Sequence, residues 1–334
     1  MALHFQILGD PGRDNAVFVR IVSGQKVSRL LFDCGEHCLA HLSIAEIQAI
    51  DHVLFSHFHM DHISGFDAFF RVTYDRTTRQ NIIWGPPGAS GVMQHRFQGF
   101  LWNLHQNLAS QWDVHEIYPD RVEVTRYRAN EAFSRAYPLP SYPYHEVIID
   151  TPEYSVYAYQ MDHQAPSMAY LVREKPRINV DTTRLEELGL RPGGWLKNLK
   201  TPEAGEAPLI KIDGKSYPIA DLRRNLLIET AGDSIAYLTD FIMDQQAQER
   251  LARVLHGCKV IVCESQYRQA DWELAQRNYH MTASQVAEMA RLAQVQQLLL
   301  FHLADRYEKR EWAALLEEAQ AIFPKTAFPE GWLI

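Results

Sequence analysis

Apolar positions along this chain fall into two rhythms. Alternating or continuous apolar stretches, rich in β-branched and aromatic residues, occur at residues 18–22, 28–32, 52–55, 155–160, 234–238, 259–263 and 297–301, and their length predicts strands. Between them the period lengthens. Ser43-Ile44-Ala45-Glu46 has the form of a capping box and predicts a short helix. Thr282-Ala283-Ser284-Gln285 opens another, with Val286, Met289, Ala290 and Ala293 on one face. Residues 311–322 predict a third, amphipathic helix. Strands interleaved with helices in both halves predict a layered α/β fold. No Ser/Gly-rich linker divides the chain, so residues 1–334 are expected to form a single domain. Two interior segments fit poorly and read as insertions: an aromatic-rich one over residues 84–112 and a Pro/Gly/Lys-rich one over about 175–218.

Composition narrows the classes. At 334 residues and 46% hydrophobic content the chain can bury a sizeable core. Its 33 basic against 41 acidic side chains leave a net charge of −8, which excludes the uniformly basic surface of a protein held to nucleic acid by charge everywhere. Any such contact must be local. No apolar run approaches the ~18 residues of a membrane span, and the first ten residues lack a signal-peptide pattern, so a soluble cytoplasmic protein is expected. The four cysteines, Cys34, Cys38, Cys258 and Cys263, are too few for a disulfide framework and are expected to be buried thiols.

Histidine carries the chemistry. Ser56-His57-Phe58-His59-Met60-Asp61-His62 follows directly on the apolar run 52–55. On a turn leaving a strand, its three imidazoles and carboxylate converge on a small volume, which suits two divalent metals better than one. Three further strand-like runs end in polar residues: Thr239-Asp240 after 234–238, Glu264 after 259–263 and His302 after 297–301. The C-terminal ends of strands are where α/β sheets place ligands. His163 also follows an alternating run.

The order of these pieces, H-x-H-x-D-H and then His, Asp and His, resembles the metallo-β-lactamase fold superfamily. The resemblance implies an αββα four-layer sandwich. It also implies one metal held by His57, His59 and His163, a second held by Asp61, His62 and His302, and Asp240 bridging them. Zn²⁺ is the expected ion, although Mn²⁺ and Fe share such donor sets. A hydroxide between two such ions has its pKa lowered towards ~7, and metals ~3.5–4 Å apart clamp both oxygens of a phosphoryl displacement. Hydrolysis is therefore the expected reaction. The ligands alone leave lactones, thioesters and phosphodiesters open as substrates.

A phosphodiester leaving group needs a proton. His280 stands just before the predicted helix that Thr282 opens, and Glu264 could orient its imidazole, making a donor pair. Here the similarity tightens to the ribonuclease Z family. Leu31-Phe32-Asp33-Cys34-Gly35-Glu36, the H-x-H-x-D-H turn, His280-x-Thr282-Ala283 and His302-x-x-x-Arg306-Tyr307 resemble its blocks in its order. The resemblance implies Glu264 and His280 as proton donors, Asp61 as base and ligand, Arg306 on the substrate, a tRNA precursor as partner, and a homodimer.

It also implies an inserted arm over residues 173–218 that grips RNA. Leu188-Gly189-Leu190-Arg191-Pro192-Gly193-Gly194-Trp195-Leu196-Lys197-Asn198-Leu199-Lys200 resembles the arm's tip, and Arg191, Lys197 and Lys200 are its candidate phosphate contacts. Between Arg173 and Lys200 seven basic residues face four acidic ones, +3 in a chain of −8. Departures from the family pattern occur at Leu8-Gly9-Asp10-Pro11-Gly12, at His37-Cys38-Leu39, at Met60 in place of the motif glycine, and at Ala304-Asp305. They spare the ligands and touch the surroundings. A small-molecule hydrolase such as a lactonase or thioesterase, or a silent RNA-binding relative, are the rival readings.

Overall fold

The computed structural model describes residues 2–24, 26–200 and 209–332. Its first sheet takes β1 (Ala2–Leu8), β2 (Ala16–Ser23), β3 (Lys26–Phe32), β4 (His52–Leu54), β5 (Asn81–Gly85), β6 (Gln111–Ile117), β7 (Arg121–Arg128) and β8 (Tyr137–Pro143), in chain order. Pairing is parallel from β3 to β6 and antiparallel on either side. Next come β9 (Val147–Asp150), β10 (Tyr154–Asp162) and β11 (Pro166–Glu174). After β12 (Arg177–Val180), β13 (Leu209–Ile212), β14 (Lys215–Pro218) and β15 (Leu227–Thr230) follow β16 (Ser234–Leu238), β17 (Val260–Glu264), β18 (Gln297–Phe301) and β19 (Thr326–Ala327). The second sheet has the order β19-β18-β17-β16-β11-β10-β9, with β16 to β19 parallel.

Side-chain alternation sorts these strands into layers. Val17, Val19, Ile21, Leu30, Phe32 and Leu54 of the first sheet meet Val156, Tyr170, Ile235, Tyr237, Val262 and Phe301 of the second in one core. Their neighbours Phe18, Leu31, Val53, Phe55 and Ile83 face the other way, onto the Phe66–Thr73 and Ala89–Gln98 helices. Leu171, Ala236, Ile261, Leu298 and Leu300 likewise meet the Ala283–Leu292 and Lys309–Ile322 helices. With period 2, a strand covered on both faces must be apolar throughout, which is why β4, β16, β17 and β18 read as continuous runs. The expected αββα sandwich is present. Both expected capping boxes also form, at Ser43 with Glu46 and at Thr282 with Gln285.

The aromatic segment 84–112 is no insertion. Trp84 and Trp112 lie on β5 and β6, inside the first sheet, and residues 89–98 are the helix joining those parallel strands. Trp102 rests on Phe70, Tyr74 and Phe133. Aromatic density here is core packing of a parallel crossover, which a short run of large side chains does not reveal.

Glu174–Gly232 forms a second compact unit. It pairs β12 with β15 and β13 with β14, and Leu185, Leu190, Leu199, Ile212, Leu222 and Leu226 give it a core of its own. It runs past Pro218, where the sequence reading ends the arm, because β15 must return to pair with β12. A methyl group on Gly232 would lie 2.4 Å from the Glu174 carbonyl oxygen, so the unit closes where only glycine fits. Residues 201–208 of the expected arm lie outside the described residues.

Candidate metal centre

Strand ends supply most groups of the site, and His280 comes from the connection between the Trp272–Arg277 and Ala283–Leu292 helices. β4 leads into Phe55 and Ser56, then His57 and His59, and the Met60–Ile63 turn of helix carries Asp61 and His62. His163 follows β10, Asp240 lies just beyond β16, Glu264 is the last residue of β17, and His302 follows β18. Because β16, β17 and β18 are parallel, the last three emerge on one edge. Asp240 and His302 hold left-handed backbones, each with φ 49°, and Asp33 and Tyr279 do the same at 57°. Such conformations cost non-glycine residues roughly 1–3 kcal/mol and persist only where the surroundings impose them.

Ligand atoms of His57, His59 and His163 lie within 4.8 Å of one another, as do those of Asp61, His62, Asp240 and His302. Asp240 lies between the groups: its Oδ2 is 3.8 Å from His57 Nε2, 3.4 Å from His62 Nε2 and 4.0 Å from His163 Nε2, and its Oδ1 is 3.3 Å from His302 Nδ1. Asp61 Oδ2 is 3.2 Å from His62 Nε2 and 3.1 Å from His302 Nε2. The Nε2 atoms of His57 and His62 are buried and have no hydrogen-bond partner among the described residues. Buried polar nitrogens are rarely left so, and two divalent ions flanking Asp240 would satisfy both.

The far nitrogens of these rings are occupied. The carboxylate of Asp33, fully buried, contacts His62 Nδ1 at 2.7 Å and accepts from Ser56 Oγ at 2.6 Å and Tyr237 Oη at 2.7 Å. Ser56 Oγ in turn lies 3.1 Å from His57 Nδ1. His163 Nδ1 donates to the Tyr279 carbonyl at 2.8 Å, and Gln266 Nε2 is 2.8 Å from His302 Nδ1. Such partners orient imidazoles for metal. Sequence reading gave no role to Asp33, Ser56, Tyr237 or Gln266, and of these only Asp33 carried a signal, as a lone carboxylate ending an apolar run.

Charge differs between the two groups. Burial above all, and then neighbouring imidazoles, hold His57, His59 and His163 below the ordinary histidine range, leaving neutral donors. Burial also acts to lower His62 and His302, but Asp240 with Asp33, and Asp240 with Asp61, override it and raise both. His280 Nδ1 sits 2.8 Å from Glu264 Oε2. Burial would lower this histidine, yet the Glu264 carboxylate brings it up to about 9. Glu264 is itself held by the Met281 amide at 3.2 Å.

The structure thus gathers His57, His59, Asp61, His62, His163, Asp240, Glu264, His280 and His302 at one place. Arg306 lies near them: its guanidinium is 5.8 Å from the Tyr267 ring, whose centre is 5.9 Å from that of His280. Arg191, Lys197 and Lys200 belong to the second unit and are exposed, the two lysines on the Trp195–Lys200 helix. Met60, between two candidate ligands, is 81% exposed. All four cysteines are free and buried.

Comparison with known proteins places this geometry. A family model described as the beta-lactamase superfamily domain matches residues 218–303, and one described as anti-Pycsar protein Apyc1 matches residues 15–135. The chain is 47% identical over 327 residues to ribonuclease Z of Deinococcus radiodurans, covering 98% of both chains. It is 25% identical over 285 residues to ribonuclease Z of Methanocaldococcus jannaschii, covering 84% of this chain and 78% of that one. Among solved structures, the short form of human tRNase Z aligns with a TM-score of 0.55 at 16% identity, over 92% of this chain and 94% of that one. The metallo-β-lactamase fold protein YhfI from Bacillus subtilis gives 0.55 at 14%, over 98% and 96%. These two share the fold.

Proposed function

The chain belongs to the ribonuclease Z family, metal-dependent hydrolases of the metallo-β-lactamase fold, and we propose that it is the endonuclease that cleaves tRNA precursors at their 3′ end. We assign it two Zn²⁺ ions, one at His57, His59 and His163 and one at Asp61, His62 and His302, with Asp240 between; Mn²⁺ or Fe would suit the same donors. One observation carries the reading. Two groups of candidate ligand atoms, those of His57, His59 and His163 and those of Asp61, His62, Asp240 and His302, lie together, with Asp240 facing both and His280 beside them, 2.8 Å from Glu264.

When bound, such an ion pair supplies a nucleophile at neutral pH and a charge clamp on phosphoryl oxygens. Asp61, 42% exposed at its side chain, would orient the attacking water and accept the proton that water gives up. His280 hands a proton to the leaving oxygen, while Glu264 fixes the ring and keeps it cationic until the transfer. A thioester, whose thiolate leaves with little help, has no comparable need for this pair. Arg306, on the Tyr267 ring that also faces His280, neutralises a flanking phosphate, and Arg191, Lys197 and Lys200 hold the RNA backbone. The chain works as a homodimer in the cytoplasm; among the described residues no helix could cross a membrane.

The test is incubation of metal-loaded protein with an unprocessed tRNA precursor, with the cleavage site mapped. Cleavage at the 3′ boundary that chelation stops is expected. Turnover of a lactone or thioester with an intact precursor would overturn the reading.

A further inference from the structure

The loop after β1, the Gly35–Cys38 segment and Ala304–Asp305 lie together in space. Residues 9–15 form the loop after β1, and they touch both segments that carry candidate ligands of the second metal. On one side, Asp14 Oδ2 accepts from the Glu36 amide at 2.9 Å and from Ser64 Oγ at 2.8 Å. Those partners flank the ligand turn. A methyl group on Gly35 would lie 2.5 Å from Asp14 Cβ and 2.6 Å from the Asp61 carbonyl oxygen, and one on Gly65 would lie 2.0 Å from the Gly35 carbonyl oxygen. The Cys34 amide donates to the His62 carbonyl at 2.8 Å, and the Gly65 amide to Cys34 at 2.9 Å. The backbones of Asp14, Gly35, Asp61 and Gly65 are therefore stacked without slack.

On the other side, a methyl group on Gly12, where φ is 66°, would meet the Trp312 ring at 2.8 Å and Asp305 Cα at 3.8 Å. Trp312 Nε1 donates to the Ala304 carbonyl at 3.0 Å, two residues past His302. The loop itself is braced: Cys38 Sγ lies 3.4 Å from the Asp14 carbonyl, Asn15 Nδ2 donates to the Asp10 carbonyl at 3.0 Å, and Trp332 Nε1 to that of Gly9 at 3.1 Å.

Resting on the ligand assignment above, we propose that loop 9–15 is a bracket that sets the spacing between the Asp61–His62 turn and the His302 segment, with Asp14 as its positioning residue. Asp14 touches neither metal nor substrate. It acts by fixing where two ligand-bearing backbones stop, so its loss falls on the second ion and leaves the first in place.

Zinc alone, titrated into chelator-treated protein against a chromogenic chelator, tests this without any turnover. Wild type is expected to bind two ions. Asp14→Ala weakens one of them ~10–100-fold, the usual effect of losing a supporting contact, and leaves the other unchanged. Asp14→Asn, which keeps an acceptor oxygen, restores most of the affinity. Gly12→Ala, on the opposite side of the loop, weakens the same ion. Kinetics with a tRNA precursor should show kcat falling in Asp14→Ala with KM little changed. Two ions of wild-type affinity in a folded Asp14→Ala protein would overturn the bracket and leave the ligand assignment standing. Failure of wild type to bind two ions would overturn the assignment and the bracket with it. Should Asp14→Ala lose its cooperative thermal transition, Ser64→Ala and Gly12→Ala decide: weakening of one ion supports the bracket, unchanged affinities refute it.

Discussion

The metal pocket and the Glu174–Gly232 unit hold their charges in opposite ways. In the pocket, Asp33, Asp240, Glu264 and His57 are almost wholly buried, and each charged or polar atom faces another at a fixed distance. In the second unit, Arg191, Lys197 and Lys200 point into solvent from a small core built on six buried aliphatic side chains. Buried charges act through geometry, at low dielectric, and fail when one partner goes. Exposed charges act through their summed field and fail gradually, screened by salt.

That contrast sets the largest effect. Chelation, His59→Ala or Asp61→Ala should bring hydrolysis to background on a tRNA precursor and on bis(p-nitrophenyl) phosphate alike, with loss of bound metal measured in the same samples. Activity in a metal-free preparation would erase the distinction between the regions. His280→Ala should keep its metal and lose ~10²–10⁴-fold in turnover of the precursor, the range for a missing general acid. On bis(p-nitrophenyl) phosphate the loss should shrink, because p-nitrophenolate leaves with little need of a proton. Equal losses on both substrates would remove His280 from the donor role.

The same contrast explains what could be read from the amino acids. A polar group just past a strand covered on both faces is announced by the apolar run before it, which is why His57, Asp240, Glu264 and His302 are each legible as candidates. Their supports are not. Tyr237 lies far along the chain from Asp33, and their 2.7 Å contact exists only after the two sheets meet. Gln266 is an unremarked polar residue until β17 and β18 pair in parallel and set it beside His302. In the second unit the Arg/Lys pattern was visible, but its end was not, since the pairing of β12 with β15 joins short strands with mixed polarity. The aromatic segment misled because Trp84 and Trp112 mark adjacent strands, a relation that spacing along the chain does not carry.

Changing Arg191, Lys197 and Lys200 to Ala should sharpen the comparison at the arm. KM for the precursor should rise and the logarithmic salt slope should fall by about 0.7–0.9 per lost phosphate contact, with hydrolysis of bis(p-nitrophenyl) phosphate nearly unchanged. Equal impairment of both substrates would mean that these residues serve the fold.

The smallest effect is one of pH, and it separates the regions by composition. All fifteen histidines lie outside Glu174–Gly232. Of those outside the metal pocket, two meet the same indole: Trp84 Nε1 donates to His52 Nδ1 at 3.2 Å, and the Trp84 ring lies 4.1 Å from that of His115. Burial lowers each from 6.5 to about 4. Between those values the unfolded chain binds protons that the folded one refuses, so stability is complete above 6.5 and is lost as pH falls towards 4, at no more than about 1.4 kcal/mol per pH unit for each histidine. His280 has the opposite sign: raised to about 9, its contribution is complete below 6.5 and fades as pH rises through 9, so it does not contribute to acid lability. Hydrogen exchange at pH 7 and pH 5 should therefore show protection falling in β4, β5 and β6, while the second unit, having no histidine, keeps its protection. His52→Asn with His115→Phe, which retain an acceptor beside Trp84 and an aromatic ring against it, should flatten the dependence in those strands. An equal loss of protection in Glu174–Gly232 over that interval would show that the two units open together, and the contrast between them would then be one of chemistry alone.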